Sequence, residues 1–180
     1  MTVPEESDPT YVTVRKQQFG EWIGVESRAV TLPGRAGDVI NIHVVRFPDI
    51  ALVVPILDNG VLLLRQFRYP THSWVVELPA GRVESDEDPE VTARRELSEE
   101  TGYVSNSMEK IGELRISPHL SNEITHVFVA RDLTPGTSHP EKGELVTSRV
   151  VSTGGLRAEV NSGRLCDAKS ISALVLAGLL

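Results

Sequence analysis

The stretch GRVESDEDPEVTARRELSEETGY, residues 81–103, combines many charges with signals for both ends of a helix. Asp88 can cap a helix that starts at Pro89, because the N–H group that proline lacks has no partner at that position. Gly102 suits the left-handed conformation that often ends a helix. We therefore predict a helix from Pro89 to Thr101.

Three glutamates, Glu96, Glu99 and Glu100, lie in the second half of this predicted helix. Side chains three and four residues apart share a helix face, so these carboxylates repel one another, and the negative end of the helix dipole adds to the repulsion. A divalent cation would relieve this repulsion, because Mg²⁺ prefers oxygen ligands. The three glutamates alone leave two interpretations open: a solvated acidic face or a metal site.

A metal site of this kind would suit phosphate chemistry. A divalent cation can bind pyrophosphate oxygens, offset the charge that develops on them and lower the pKa of a bound water. Arg95 can pair with the nearby carboxylates and hold them in orientation. If the metal interpretation holds, the segment would suit a hydrolase of pyrophosphate bonds.

Composition excludes several other classes of function. The chain has 180 residues, a net charge of −7 and one cysteine, Cys166. This charge argues against nucleic acid as a partner, and no apolar stretch is long enough to cross a membrane. A lone cysteine excludes a disulfide framework within the chain, so we expect a cytoplasmic protein and interpret Cys166 as a buried, inert thiol.

Strand patterns indicate two parts of the chain. We predict a tail without structure at residues 1–10 and a small β element at residues 11–47. Ile50–Leu57 and Val61–Phe67, joined by the turn Asp58-Asn59-Gly60, then suggest the centre of a mixed sheet within a domain at residues 48–180. Further strands and a C-terminal helix at Asp167–Leu180 complete an α/β (α+β) fold.

The spacing of the acidic segment is more specific than its composition. Gly81, Glu87, Arg95-Glu96-Leu97, Glu99-Glu100 and Gly102 fill every fixed position of the pattern G-x5-E-x7-R-E-U-x-E-E-x-G-U, and only Tyr103 departs from the aliphatic residue usual at the last site. The segment resembles the Nudix box. This resemblance implies an α/β/α sandwich with a mixed sheet, preceded by an N-terminal β element that dimerises, and hence a homodimer.

Residues outside the box resemble the ADP-ribose pyrophosphatase branch of Nudix hydrolases. The match includes Gln66–Pro70, Trp74, Glu77–Gly81 and Ser117-Pro118, and it continues in Asp167-Ala168-Lys169. His119 departs from the branch, where many relatives have glycine. The resemblance implies Mg²⁺-dependent hydrolysis of ADP-ribose to AMP and ribose 5-phosphate, with Mn²⁺ as a possible substitute. The alternatives are another nucleoside diphosphate sugar, such as GDP-mannose, and a non-catalytic ligand sensor.

The resemblance also assigns roles to individual residues. The expected metal ligands are Glu96, Glu99, Glu100 and the carbonyl of Ala80, with Glu99 and Arg95 also assigned to the catalytic group and Glu87 supporting the cluster. A general base is expected on a late loop, where His139–Glu144 offers Glu144 as the first candidate and Glu141 as the second. The candidates for substrate binding are Arg68, Arg65, Trp74, Pro118 and His119, although we expect Trp74 rather to pack in the core or a dimer interface.

Overall fold

The structure is a computed structural model that describes residues 8–33 and 37–180. Most of the tail predicted at residues 1–10 lies outside the described residues. Contacts divide the chain into two compact units. The first unit contains the described residues up to Pro48 together with Ser117–Glu123, and the second contains Asp49–Ile116 and Ile124–Leu180.

The first unit contains a three-stranded antiparallel sheet. Its strands are β1 (Thr10–Phe19), β2 (Ile23–Thr31) and β3 (Val39–Arg46), in the order β1-β2-β3. The segment Ser117–Glu123 joins this unit because the N–H of Val45 donates to the carbonyl of Leu120 at 2.8 Å. This grouping differs from the single boundary after residue 47 that the sequence suggests.

Many apolar side chains of this small sheet remain exposed. A three-stranded sheet with no helix of its own has little with which to cover its faces. Ile40 and Ile42, which alternation places on one face of β3, are 45% and 37% exposed. The other exposed large apolar residues of these three strands and of the turn between β1 and β2 are Tyr11, Val12, Val14, Phe19, Trp22, Ile23 and Val39.

The second unit is built on a mixed seven-stranded sheet. Its main path has the order β10-β5-β4-β9-β8, while β6 pairs with β5 and β7 pairs with β4. The β4 and β9 strands are parallel, and the other pairs are antiparallel. The strands are β4 (Ile50–Leu57), β5 (Gly60–Arg68), β6 (Ser73–Glu77), β7 (Ala80–Arg82), β8 (Tyr103–Leu114), β9 (Thr125–Pro135) and β10 (Val146–Val151).

Three helices cover the two faces of this sheet: α1 (Pro89–Thr101), α2 (Leu156–Asn161) and α3 (Ala168–Leu176). Alternate residues of β4 enter two different cores. Ala51 and Val53 belong to the cluster that includes α1, and Leu52 and Val54 belong to the cluster that includes α2 and α3. This double burial explains why β4 is a continuous apolar run, and it gives the predicted α/β/α sandwich. None of the helices in the described residues has the length and apolarity needed to cross a membrane.

The helix α1 has the predicted limits and caps. The carboxylate of Asp88 accepts a hydrogen bond from the N–H of Glu90 at 2.8 Å, and Gly102 ends the helix at a φ of 78°. Other limits differ from the prediction. The C-terminal helix ends at Leu176 rather than Leu180, and Gly178 follows at a φ of 71°.

The prediction of a buried Cys166 is wrong, because its thiol is exposed. Cys166 lies between Leu165, which is fully buried, and Asp167, whose carboxylate caps α3. The side chains of these two neighbours face the protein, which leaves Cys166 directed outward.

Candidate active site

The close approach of helix α1 to strand β7 begins the site. Ala93 and Leu97 are fully buried and pack α1 onto the sheet. Glu96, which precedes Leu97, has its carboxylate against the backbone of Gly81, where a Cβ atom would overlap that carboxylate. A side chain at position 81, the first fixed position of the box, would therefore displace the Glu96 carboxylate.

Arg95 connects three of the acidic side chains. Its Nη1 donates to Glu96 at 2.7 Å and to Glu99 at 3.1 Å. Its Nη2 lies 3.5 Å from Glu87. These carboxylates raise the pKa of Arg95, although partial burial of the guanidinium opposes them. Arg95 thus pairs with the nearby carboxylates, and its orienting role stays a prediction.

Glu100 is the most enclosed of the three helix glutamates, with 5% of its surface exposed. Burial raises the pKa of Glu100 well above its ordinary value, and repulsion from Glu96 adds to this effect. The N–H of Ala80, which donates to Glu100 at 3.0 Å, acts in the opposite direction. Burial also raises the pKa of Glu96, against the attraction of Arg95.

The donor set fits a hard divalent cation. Within residues 8–33 and 37–180, no three acidic, histidine or cysteine side chains converge into a ready-made metal cage. Glu96 and Glu99 accept hydrogen bonds from Arg95, and Glu100 accepts one from the N–H of Ala80. Carboxylate and carbonyl oxygens are the ligands that Mg²⁺ and Mn²⁺ prefer, and a cation would relieve the repulsion between the enclosed carboxylates.

A cleft of about 340 Å³ opens beside these residues. Ala80, Gly81 and Glu96 form one part of its wall. The rest of the wall includes residues from β5, β6, the late loop and the start of α3: Arg68, Glu77, Glu141, Glu144, Asp167 and Lys169.

Arg68 enters the cleft as expected, but it has an internal partner. Its Nε donates to the two carboxylate oxygens of Glu77 at 2.9 and 3.3 Å. Burial raises the pKa of Glu77, which is 5% exposed, even though Arg68 favours its charged form. Glu77 and Lys169 line the cleft as well, although neither is among the site residues that the sequence predicts. The position of Glu77, a charged residue at the end of an apolar strand, is the sequence signal that could have identified it as a site residue.

The late loop brings both candidate bases to the cleft, since Glu141 and Glu144 line its wall. The two residues also interact with each other. The backbone N–H of Glu141 donates to the Glu144 carboxylate at 3.0 Å, and the N–H of Glu144 donates to the carbonyl of Glu141 at the same distance. Repulsion from Glu144 contributes to the raised pKa values of Glu96 and Glu100.

Arg65 and Trp74, two further candidates, are not among the residues that line the cleft. The guanidinium of Arg65 lies 4.1 Å from the ring centroid of Trp74, which is 44% exposed. This exposure contradicts packing of Trp74 in the core, while packing in a dimer interface stays a prediction. Pro118 and His119 lie in the segment Ser117–Glu123, which belongs to the first unit.

Known proteins with similar sequences and folds agree with this architecture. An ADP-ribose pyrophosphatase from Bacillus subtilis (strain 168) is 35% identical over 170 residues, which cover 90% of this chain and 89% of that protein. A methanol dehydrogenase activator from Bacillus methanolicus is 31% identical over 167 residues, with the same coverage. A crystal structure of an ADP compounds hydrolase has the same fold, with a TM-score of 0.83 and 23% identity over 95% of this chain and 92% of that one. The model of the NUDIX domain matches residues 46–167. The chain therefore belongs to the NUDIX family.

Proposed function

We propose that this protein hydrolyses the pyrophosphate bond of ADP-ribose and releases AMP and ribose 5-phosphate. One observation carries the proposal. The three glutamates Glu96, Glu99 and Glu100 of α1 lie beside a cleft whose wall also includes Arg68 and the two loop glutamates. The similarity along nearly the whole chain to an ADP-ribose pyrophosphatase supports this substrate.

Nudix hydrolases generally use divalent metal ions, and we propose Mg²⁺ here, with Mn²⁺ as a substitute. Glu96, Glu99, Glu100 and the carbonyl of Ala80 would hold the metal. When bound, it would polarise the phosphate oxygens and lower the pKa of the attacking water. Arg95 would keep Glu96 and Glu99 oriented, as its hydrogen bonds of 2.7 and 3.1 Å to them suggest.

Arg68 would bind a phosphate group of the substrate. Its Nε is used by Glu77, and its terminal nitrogens have no hydrogen bond to that carboxylate. A guanidinium held in this way offers paired donors to phosphate oxygens with little loss of side-chain freedom. Arg65, Trp74, Pro118 and His119 stay candidates for substrate binding.

Glu144 is our preferred general base. It lines the cleft, and its charge acts on both Glu96 and Glu100, so it lies near the proposed metal ligands. Glu141 lines the same cleft and is the alternative. The variants Glu144→Gln and Glu141→Gln separate them, because loss of a general base lowers turnover by roughly 100-fold or more.

A substrate panel with Mg²⁺ tests the reaction. ADP-ribose, GDP-mannose, dinucleoside polyphosphates and nucleoside triphosphates would be compared, and chromatography of the products would identify AMP and ribose 5-phosphate. Faster turnover of GDP-mannose than of ADP-ribose would show that GDP-mannose is the preferred substrate. Binding of ADP-ribose without turnover of any compound would favour a ligand sensor, which the complete carboxylate set argues against. Glu100→Gln should remove most of the activity and leave the circular dichroism spectrum unchanged.

We also propose that the protein is a homodimer in the cytoplasm. The exposed apolar side chains of the N-terminal sheet support self-association, because such side chains are usually covered in the working assembly. The single cysteine suits a reducing compartment.

A further inference from the structure

Gln66 is a polar side chain in a place that apolar residues usually occupy. It lies in strand β5, between Val75 of β6 and Val146 of β10, and only 3% of its surface is exposed. Its Oε1 is buried and has no hydrogen-bond partner among the described residues. An unpaired buried acceptor costs stability, and leucine or methionine would avoid that cost. Packing alone therefore does not account for a glutamine here.

The amide nitrogen of Gln66 is directed to the late loop. Its Nε2 donates to Oε1 of Glu144 at 3.3 Å. The other carboxylate oxygen, Oε2, accepts the backbone N–H of Glu141 at 3.0 Å. Each oxygen of the Glu144 carboxylate thus has its own donor, and the two donors together set the direction of the carboxylate plane.

Two further contacts join the end of β5 to the same loop. The hydroxyl of Tyr69 donates to the carbonyl of Gly143 at 2.9 Å. The N–H of Phe67 donates to the carbonyl of Leu145 at 2.9 Å. These bonds hold the backbone on both sides of Glu144, although Glu141, Lys142 and Gly143 are exposed.

We propose that Gln66 is a positioning residue that orients the Glu144 carboxylate for hydrolysis, while Tyr69 fixes the backbone of the loop that carries it. This inference rests on the proposed role of Glu144 as general base. A base must lie within hydrogen-bond reach of the attacking water, and small misplacements of a catalytic group cost large factors in rate. Gln66 itself is not among the residues that line the cleft.

A double-mutant cycle tests the proposal. Gln66→Met keeps the volume and removes the donor, and it should lower kcat roughly tenfold to 100-fold with little change in KM. In the Glu144→Gln background the same substitution should cost almost nothing, because the group that it orients is already lost. An equal loss in both backgrounds would overturn the inference, as would full activity of Gln66→Met.

The outcomes also separate this inference from the proposed function. Unchanged turnover in Glu144→Gln would reject the base assignment itself. A large loss in Glu144→Gln beside full activity in Gln66→Met would reject only the role of Gln66. Leu62→Ala is the control for stability, because Leu62 is buried in the same strand and makes none of the bonds described above to the loop. It should lower the melting temperature and keep kcat while the protein is folded.

The role of Tyr69 can be tested without any activity assay. Trypsin can cut after Lys142, next to the carbonyl that Tyr69 holds. Tyr69→Phe removes one exposed hydroxyl, and it should increase the rate of cleavage between Lys142 and Gly143 several-fold, as measured by mass spectrometry of the fragments. Tyr11→Phe, in the first unit, is the matched control and should be cut at the wild-type rate. Equal rates for Tyr69→Phe and the wild type would reject the tether.

Discussion

At the scale of single residues, the contact between Gly81 and Glu96 determines how closely the metal-binding face of α1 can approach β7. The Glu96 carboxylate occupies the space that a side chain at position 81 would need. To make room, Glu96 would have to turn away from Arg95, which donates to it at 2.7 Å. The geometry of the proposed metal site is therefore sensitive to one methyl group.

We predict that Gly81→Ala lowers kcat/KM by about 100-fold, because a displacement of roughly 1 Å at a catalytic group has an effect of this size. The fold should survive, since Gly81 has a negative or extended φ that alanine can adopt. Steady-state kinetics with circular dichroism would check this. Gly154→Ala is the matched control, because a Cβ there meets no atom within 4 Å, and it should keep wild-type activity. Equal activity of the two variants would contradict the steric argument.

Single residues of the site were predicted from the sequence when their spacing carried the signal. Glu96, Glu99 and Glu100 belong to one helix, so their proximity follows from the helical repeat. Glu77 and Gln66 were not identified, because their roles depend on strand pairing. Arg68 meets Glu77 only because β5 and β6 are paired in a particular register, and Gln66 meets Glu144 across 78 positions of sequence.

At the scale of secondary-structure elements, the sequence predicts best those whose ends carry local signals. The limits of α1 follow from Asp88, Pro89 and Gly102, and those of β4 follow from an apolar run that stops at a turn. Strand β7 was missed because it has only three residues, and its pairing with β4 involves partners far apart in sequence. The attachment of Ser117–Glu123 to the first unit likewise depends on long-range contacts.

A charged cluster connects strand β10 to helix α2 and the loop after it. Glu159 in α2 is bonded to Arg149 of β10 at 2.6 Å and to Arg164 of the loop at 3.0 Å. The hydrogen bonds from Arg164 and Arg149 lower the pKa of Glu159 to about 2. Because the folded pKa lies below the unfolded value, this contact stabilises the fold above a pH of about 4.5 and loses its effect as the pH falls toward 2.

We predict that Glu159→Gln is less stable than the wild type at pH 7 and that the difference shrinks between about pH 4.5 and pH 2. Urea unfolding at a series of pH values would measure it. Glu109→Gln, at an exposed position of β8, is the control and should differ little from the wild type at any pH. A difference for Glu159→Gln that does not change with pH would show that the carboxylate charge is not the source of stability.

At the scale of the whole molecule, the two units differ in how they bury apolar surface. The second unit covers its sheet with α1 on one face and α2 and α3 on the other. The first unit contains no helix in its described part and leaves apolar side chains of all three strands exposed. Such a surface costs free energy in water unless another surface covers it, and a second copy of the chain is the partner that we propose.

The substitutions Ile40→Glu and Ile42→Glu, made together, should convert the proposed dimer to a monomer. Both side chains lie on one face of β3, and charged groups there would have to be dehydrated in an interface. Sedimentation velocity at micromolar concentration would measure the mass. Asn41→Glu is the matched control, because residue 41 lies between them and faces the other way, so it should remain dimeric if the isoleucine face is the interface. Dissociation caused by Asn41→Glu alone would place the interface on the opposite face of β3. A monomeric wild type would reject the dimer and, with it, the role proposed for the exposed apolar face.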